Sequence, residues 1–315
     1  MRELPRTDPK DATVLADYAR RNSDRLSWCK PSDEMLTHLR ILNGRDTDLA
    51  ADATRIANRL RDALLAVSPA LERTVGSRLT TNRGLRETLT RWGNPTELKT
   101  AGRTRIRRVL AKYSTPRTTS KLVAAIWDAL DAQTVIVAAE TVWADTVREL
   151  AADLDSICER RKLLAEDIEA VFMAHPLGKV ISTMCGFGPR TGARTLAEIG
   201  DPHRFDNASR LASYAGLVPI DWQSGSKTIT RKPRGGNHRL KNALFTAAFV
   251  ATRHDPCARA YYQQKRNQGK RHNAAVICVA RKRCNIILTM LKTRTPYQQH
   301  HQQKNIKKTA PTHLK

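Results

Sequence analysis

The middle of the chain carries a long apolar repeat, and this repeat restricts the possible folds more than any other feature. Between Leu122 and Met173, apolar residues recur at steps of three to five, with charged residues clustered between them. This spacing places the apolar residues on one face of a helix. An antiparallel helical hairpin or coiled coil fits the pattern about as well as a helix pair inside an ordinary bundle does. Because aromatic residues make up only 5% of the chain, we predict a mainly α protein.

The C-terminal part of the chain has charges of almost one sign. From Trp222 to Lys315 there are 21 lysines and arginines and a single acidic residue, Asp255, so this stretch carries +20 of the total formal charge of +25. A solvated charged surface ordinarily mixes both signs, whereas a block of one sign indicates a polyanionic partner, and nucleic acid is the default. A disordered basic tail is the alternative. It fits residues 298–315 but not the apolar segments before them.

The six cysteines show no spacing typical of a disulfide framework or of a zinc site, so free thiols in a reducing compartment are predicted. The sequence has no recognisable signal peptide and no apolar stretch of membrane-spanning length. We therefore expect a cytoplasmic protein without membrane contact.

Helix-breaking residues divide the rest of the chain. Residues 8–21 and 32–68 are predicted to be helical, the second stretch being interrupted by LNGRD at 42–46. A further break is predicted at Asn94-Pro95, and the segment YSTPRTTSK at 113–121 is predicted to be a linker.

A glycine-rich turn, CGFGP at 185–189, joins an apolar helix to one that begins near Arg190. This order is typical of a helix-hairpin-helix, in which glycines let the backbone approach a phosphate and the amides of the second helix bind it. Gly186, Gly188, Arg190 and Thr191 are therefore candidate DNA-binding residues. An ordinary turn between two helices is the alternative, and the basic composition favours contact with the DNA backbone.

Ser224 lies between a hydrophobic stretch and a cluster of cations. It is either a turn residue in Gln-Ser-Gly-Ser or a nucleophile that attacks a phosphodiester, with guanidinium groups favouring the alkoxide and holding the phosphate. Asn237, which follows the turn at 235–236, is predicted to cap the next helix. The cations predicted to contact DNA are Lys227, Arg231, Lys232, Arg234, Arg239 and Lys241.

Two aspartates three residues apart, Asp8 and Asp11, open the first predicted helix. With Pro9 between them they fit a helix cap. They also fit a metal site, since carboxylates at positions i and i+3 lie on one helix face and can share Mg²⁺. A two-metal site needs three or four carboxylates, so the pair alone favours the cap.

Three segments together resemble one known family. TDPKDATVLADYAR resembles the last acidic motif, D-x-x-D-A, of the DEDD transposases of bacterial insertion sequences, and residues 45–72 resemble the helical stretch that follows it. Residues 185–248 resemble the family's C-terminal transposase domain almost end to end. This is the insertion sequence 110 family (the 110/116/902 group), which also includes the pilin-gene invertases.

The resemblance implies a transposase or DNA recombinase that cleaves and rejoins DNA strands. Members of the family have a RuvC-like, RNase H-type domain with an Asp-Glu-Asp-Asp site for Mg²⁺ or Mn²⁺, and a second domain whose catalytic serine attaches to DNA. Carried over, Asp8 and Asp11 match the last two metal-binding carboxylates. Ser224 matches the nucleophile, and Ser213 is the second choice.

The resemblance also implies an architecture and a set of partners. The expected parts are the remainder of the RuvC-like domain (1–75), a helical or coiled-coil region (76–174), a helical transposase domain with a helix-hairpin-helix and the serine motif (175–296), and a basic disordered tail (297–315). The expected partners are DNA at the element ends and the target, a structured guide RNA, and further copies of the chain in a dimer or tetramer. Association with the bacterial nucleoid is expected.

The sequence departs from the family pattern at its start. The family's first Asp and its Glu lie on strands upstream of D-x-x-D-A, whereas seven residues precede Asp8. We therefore expect the first strands and two of the four metal ligands to be absent, and the chain alone to be unable to complete the DEDD reaction. A non-catalytic DNA- or RNA-binding protein derived from such a transposase is the alternative.

Overall fold

A computed structural model describes residues 8–23, 33–135, 137–224, 227–231, 233 and 235–298, and over this range the chain is mainly α, as predicted. The helices are α1 (Asp8–Arg21), α2 (Glu34–Val67), α3 (Pro69–Val75), α4 (Arg83–Arg91), α5 (Pro95–Ala111), α6 (Pro116–Asp131), α7 (Glu140–Ala174), α8 (Pro176–Ser182), α9 (Pro189–Ile199), α10 (Ala208–Tyr214), α11 (His238–His254), α12 (Pro256–Asn267) and α13 (His272–Thr293). Two 3₁₀ turns occupy Gly76–Arg78 and Pro202–Arg204. An antiparallel hairpin is formed by β1 (Ile220–Ser224) and β2 (Lys227–Arg231).

The chain divides into two compact units. One consists of Met1–Arg40 together with Val171–Lys315, and the other of Ile41–Ala170. The domain limits predicted at residues 75 and 174 follow the family resemblance and stay a prediction. Among the described residues, none of the helices is both long enough and apolar enough to cross a membrane.

The unit of residues 41–170 is a helical bundle, and the apolar repeat supplies much of its core. Leu122 and Leu130 on α6 are almost fully buried, as are Val147 and Leu154 on α7. Val135, between the two helices, is 67% exposed. The repeat therefore belongs to two separate helices whose apolar faces enter one core, which the bundle interpretation predicts.

The predicted break at 42–46 is wrong, because α2 continues through it to Val67. Leu42 and Leu49 are buried on either side of Asn43 and Gly44. Packing of this face outweighs the poor helix propensity of glycine, about 1 kcal/mol relative to alanine.

Most of the predicted linker at 113–121 is also helical. Thr115 caps α6 by accepting a hydrogen bond from the Thr118 amide, and Pro116 occupies the first helical position. The Ser, Thr and Pro residues that suggested a linker are a helix start. The break predicted at Asn94-Pro95 is confirmed, since the Asn94 side chain caps α5.

Small side chains let the helices of the C-terminal part approach closely. Ala243, Ala247, Ala248 and Ala251 are all buried on α11. Gly186 has a φ of +90°, and a Cβ placed on it would lie 2.3 Å from the carbonyl oxygen of Ala247. The glycine turn before α9 is therefore seated directly on the backbone of α11, and only glycine fits there.

Replacing glycine by alanine should have opposite effects on the stability of the protein at two positions in the unit of residues 41–170. Gly93→Ala should destabilise the protein by about 1–3 kcal/mol, because its Cβ would lie 2.2 Å from the Ala144 carbonyl oxygen. Gly44→Ala should stabilise it by about 0.5–1 kcal/mol, because Gly44 is helical and open space surrounds its Cβ position. Urea unfolding followed by circular dichroism measures both changes. Shifts of the same sign in the two variants would contradict the packing described here.

Candidate nucleic-acid interface

The predicted glycine turn joins α8 to α9, and Gly188 is the first residue outside α9. Pro189 starts the helix, and no side chain caps it. The Gly188 carbonyl accepts a hydrogen bond from the Gly192 amide at 2.7 Å. Gly188 and Arg190 are exposed, and Thr191 is half-buried. The turn thus presents the backbone at the start of α9 to solvent, which is the geometry that a phosphate contact requires.

Three contacts hold this turn from beneath. The Arg283 guanidinium on α13 donates a hydrogen bond to the carbonyl oxygen of Cys185 and lies 5.6 Å from the ring centre of the buried Phe187. The Tyr297 amide donates to the hydroxyl of Thr183 at 2.8 Å. The shape of the turn therefore depends on residues about 100 positions further along the chain.

Arg283 is itself paired with the one acidic residue of the basic segment. Its Nη1 lies 3.5 Å from Oδ2 of Asp255, and the two residues are 3% and 2% exposed. The other carboxylate oxygen of Asp255 caps α12, accepting from the amides of Cys257 at 2.9 Å and Ala258 at 3.3 Å. Asp255 therefore joins the start of α12 to α13 and, through Arg283, to the glycine turn.

Burial decides how this cluster ionises. Burial lowers the pKa of Arg283, while the carboxylate of Asp255 raises it. Burial together with Asp255 raises the pKa of Tyr297 to about 12, so this phenol stays neutral at physiological pH. The ion pair and a neutral phenol thus share one interior site.

The position of Asp255 determines the charge of the surface. Because Asp255 is buried, residues 235–298 present no acidic side chain to solvent. Of the 13 lysines and arginines in this range, only Arg283 is buried. The surface of α11, α12 and α13 is accordingly cationic without interspersed negative charge, as a phosphate backbone requires.

The β-hairpin carries the candidate nucleophile. Ser224 is the last residue of β1 and pairs with Lys227, the first residue of β2. Arg231 pairs with Ile220 at the other end. Gly225 and Ser226 between the strands, and the predicted contacts Lys232 and Arg234, lie outside the described residues. The backbone thus places Ser224 beside the tip of a hairpin, directly opposite a lysine position.

This hairpin was not predicted, although the sequence contains a signal for it. Apolar and polar residues alternate in IDWQS and KTITR, and Gly-Ser separates the two runs. Alternation with two turn residues between the runs is typical of a two-residue β-hairpin.

The predicted cap at Asn237 is confirmed, and it also anchors the segment after the hairpin. Its Oδ1 accepts from the Leu240 amide at 3.0 Å, while its Nδ2 donates to Glu198 at 2.7 Å and to the Tyr214 hydroxyl at 3.1 Å. The start of α11 is thereby joined to α9 and α10. Arg239 in the first turn of α11 is exposed.

Two further candidates lie in helices. Lys241 is half-buried on α11, and Ser213 is exposed near the end of α10. Asp8 and Asp11 are exposed in the first turn of α1, on one helix face as predicted. Among the described residues no three His, Cys, Asp or Glu side chains lie close enough to hold a metal ion. Within the described residues, Asp8 and Asp11 are therefore a pair of possible metal ligands without a third side chain to complete a site.

The buried ion pair predicts a large loss of stability when one partner is removed. Arg283→Met should lower the free energy of unfolding by about 3–5 kcal/mol, because Asp255 is left buried without a counter-charge. Adding Asp255→Asn should recover part of the loss, since Asn keeps the cap but removes the charge. Urea unfolding measures these values.

The matched control is Arg281→Met, an exposed arginine two positions earlier on α13. Its effect should stay within about 0.5 kcal/mol. If Arg283→Met costs no more than Arg281→Met, the buried pair does not support the turn.

Comparison with known proteins identifies the family. Residues 178–263 match the model of the transposase IS116/IS110/IS902 family, and residues 2–69 match a DEDD transposase model of the IS110 type. Over 294 residues the chain is 41% identical to the 43.6 kDa protein of insertion element IS110 from Streptomyces coelicolor, covering 93% of this chain and 72% of that protein.

Two further relatives extend this result. The 42 kDa protein of insertion element IS900 from Mycobacterium paratuberculosis is 35% identical over 93% of this chain and 73% of its own length. The pilin gene-inverting protein of Moraxella bovis is 31% identical over 38% of each chain. The family resemblance predicted from the acidic motif and the C-terminal segment is therefore confirmed, and the chain belongs to the IS110 family of insertion-sequence transposases.

Proposed function

We propose that this transposase cleaves and rejoins DNA through a covalent serine intermediate, and that Ser224 is the nucleophile. The observation that carries the proposal is the register of the hairpin, which pairs Ser224 with Lys227 beside the tip. An adjacent ammonium group favours the alkoxide of a serine and attracts a phosphate.

The proposed step is an exchange of phosphoester bonds. Oγ of Ser224 attacks the phosphorus, an Oγ–P bond forms, and the bond from phosphorus to one deoxyribose oxygen breaks. The serine proton passes to a base, and the leaving oxygen takes up a proton. Attack by a hydroxyl of another strand reverses the sequence and releases the serine. Bond energy is conserved throughout, so rejoining needs no external energy source.

The proposed DNA contacts are of two kinds. At the glycine turn, Gly186 and Gly188 let the DNA backbone approach the start of α9, and Arg190 and Thr191 contact the phosphate. Around the serine, side chains neutralise the phosphates on either side of the cleavage point. These side chains are Lys227, Arg231, Lys232, Arg234, Arg239 and Lys241.

The family's divalent metal does not fit the described residues as a complete site. Asp8 and Asp11 are the right kind of donor for Mg²⁺ or Mn²⁺, yet two carboxylates hold such an ion weakly. The described residues supply no third ligand. We therefore assign the two aspartates to a metal site in a RuvC-like region over residues 1–75, and derive no step through the metal.

The proposed function also includes an oligomer of the chain and a guide RNA. A coiled-coil contact between copies of the chain, in a dimer or tetramer, is assigned to the helical region at 76–174. The apolar residues available for it are those outside the intrachain core, such as the exposed Val142 and Leu163 on α7. In such an oligomer the carboxylates of one copy and Ser224 of another act on one DNA strand. A structured guide RNA is proposed to select the DNA, and the cationic surface of residues 175–296 suits either nucleic acid.

A second function is favoured by the exposed, incomplete carboxylate pair. The described residues supply no third ligand to Asp8 and Asp11, whereas binding of DNA or RNA by the cationic surface does not need a metal site. In this case the chain is a non-catalytic binding protein derived from a transposase, occupying element ends or guide RNA.

The direct test uses the two serine candidates as matched variants. The chain is incubated with Mg²⁺ and a labelled duplex that spans an end of its own element, and adducts that survive denaturation are separated on a gel. We expect an adduct with the unaltered chain. Ser224→Ala should reduce it by at least about a thousandfold, because the nucleophile is lost, with DNA affinity unchanged within about twofold. Ser213→Ala should leave the adduct intact.

An adduct that persists in Ser224→Ala but disappears in Ser213→Ala would show that Ser213 on α10, and not Ser224, is the nucleophile. Salt-dependent DNA binding without any adduct would favour the non-catalytic function.

A further inference from the structure

A cleft lies where the end of α11, the middle of α12 and the start of α13 meet. Its volume is about 380 Å³, which is the size of a small-molecule site. Aromatic and cationic side chains line it. The proposed transposition chemistry uses none of these side chains.

Three rings form one wall of this cleft. The ring centre of His272 lies 5.8 Å from that of Phe249 and 5.7 Å from that of Tyr262, and both contacts are edge-to-face. The Tyr262 hydroxyl and Nδ1 of His272 are hydrogen-bonded at 2.7 Å. Phe249 and Tyr262 are half-buried and His272 is exposed. The rings are therefore fixed in position and still reachable from solvent.

Positive charge surrounds the rings. The Arg253 guanidinium lies 4.3 Å from the ring centre of Phe249. Arg259 donates to the main-chain carbonyls of Thr252 and Arg253, which holds its guanidinium at the end of α11. His272 is the first residue of α13, a helix of 22 residues whose start no side chain caps. The positive end of the helix dipole therefore adds to the two arginines.

The geometry points to a binding site for one unpaired nucleotide of a single-stranded nucleic acid. A base stacks on aromatic rings or on a guanidinium plane, and its phosphate pairs with arginine. The bases of a duplex are stacked on one another and cannot enter such a cleft. Arg259 also bonds the last carbonyls of α11, which is a structural role. The exposed guanidinium of Arg253 is the group that packing of three helices does not require.

This inference rests on the proposed nucleic-acid binding and narrows it to unpaired strands. DNA and RNA share the chemistry that the cleft recognises. The experiment therefore compares a single strand of about 20 deoxythymidines, a single strand of about 20 uridines and a duplex of about 20 base pairs, each labelled with fluorescein and measured by anisotropy.

Two variants alter the cleft, and one control does not. Tyr262→Leu removes a ring, and Arg253→Gln removes an exposed guanidinium. Arg103→Gln is the matched control, because Arg103 is also exposed and also stacked on an aromatic ring, Trp127, at 5.0 Å. Since stacking of one base is worth about 1–3 kcal/mol, each cleft variant should weaken single-strand binding at least about fivefold. Tyr262→Leu should change duplex binding less than about twofold, as should Arg103→Gln for all three probes. Because Arg253 also belongs to the cationic surface of α11–α13, Arg253→Gln should weaken duplex binding too, but by less than it weakens single-strand binding.

The outcomes separate this inference from the proposed function. A loss restricted to the uridine strand identifies RNA as the ligand, and a loss restricted to the deoxythymidine strand identifies DNA. If a cleft variant weakens binding of the single strands and of the duplex equally, or weakens neither, the cleft assignment is overturned. The proposed nucleic-acid binding of the unaltered chain would not be affected by that result. If Tyr262→Leu does not fold, the loss of single-strand affinity relative to duplex affinity in Arg253→Gln tests the cleft assignment. Failure of the unaltered chain to bind any of the three probes would overturn the proposed function as well.

Discussion

The buried pair of Asp255 and Arg283 links most of the features on which the proposed nucleic-acid surface depends. One carboxylate oxygen caps α12, the other faces the guanidinium, and the guanidinium holds the Cys185 carbonyl of the glycine turn. Isolated ions in a protein interior are costly, so each partner is tolerated only because the other is present. The pair thus serves two purposes. It fixes the turn in front of α9, and it removes the segment's one negative charge from the surface.

Dense positive charge and a compact fold make opposing demands on such a segment. Self-repulsion among cations destabilises the compact state, so the interior must compensate. Alanines on α11 and glycine at Gly186 let backbones approach closely, which supplies many dispersion contacts. Asn237 adds a fully bonded junction of α9, α10 and α11. The cations then lie around a well-packed interior and stay available to phosphates.

Local rules predicted local features well. α1 has the predicted limits, the break at Asn94-Pro95 lies where it was predicted, and Asn237 caps α11 as predicted. The structure differs from the prediction where packing overrides propensity, as at Gly44 within α2, and where a short alternating pattern forms strands, as in the hairpin that contains Ser224. The Asp255–Arg283 pair was beyond prediction, because no local pattern joins residues on separate helices. The same holds for the ring cluster of the cleft.

The central claim is that phosphate contacts with the cationic C-terminal segment dominate binding. The most direct measurement is the affinity for a duplex of about 20 base pairs at salt concentrations from about 50 to about 300 mM. Each phosphate contact releases a counterion, and the logarithm of the association constant should fall with the logarithm of salt at a slope of about −5 or steeper. A slope between zero and about −1 would contradict the account, because binding would then not depend on the exposed lysines and arginines.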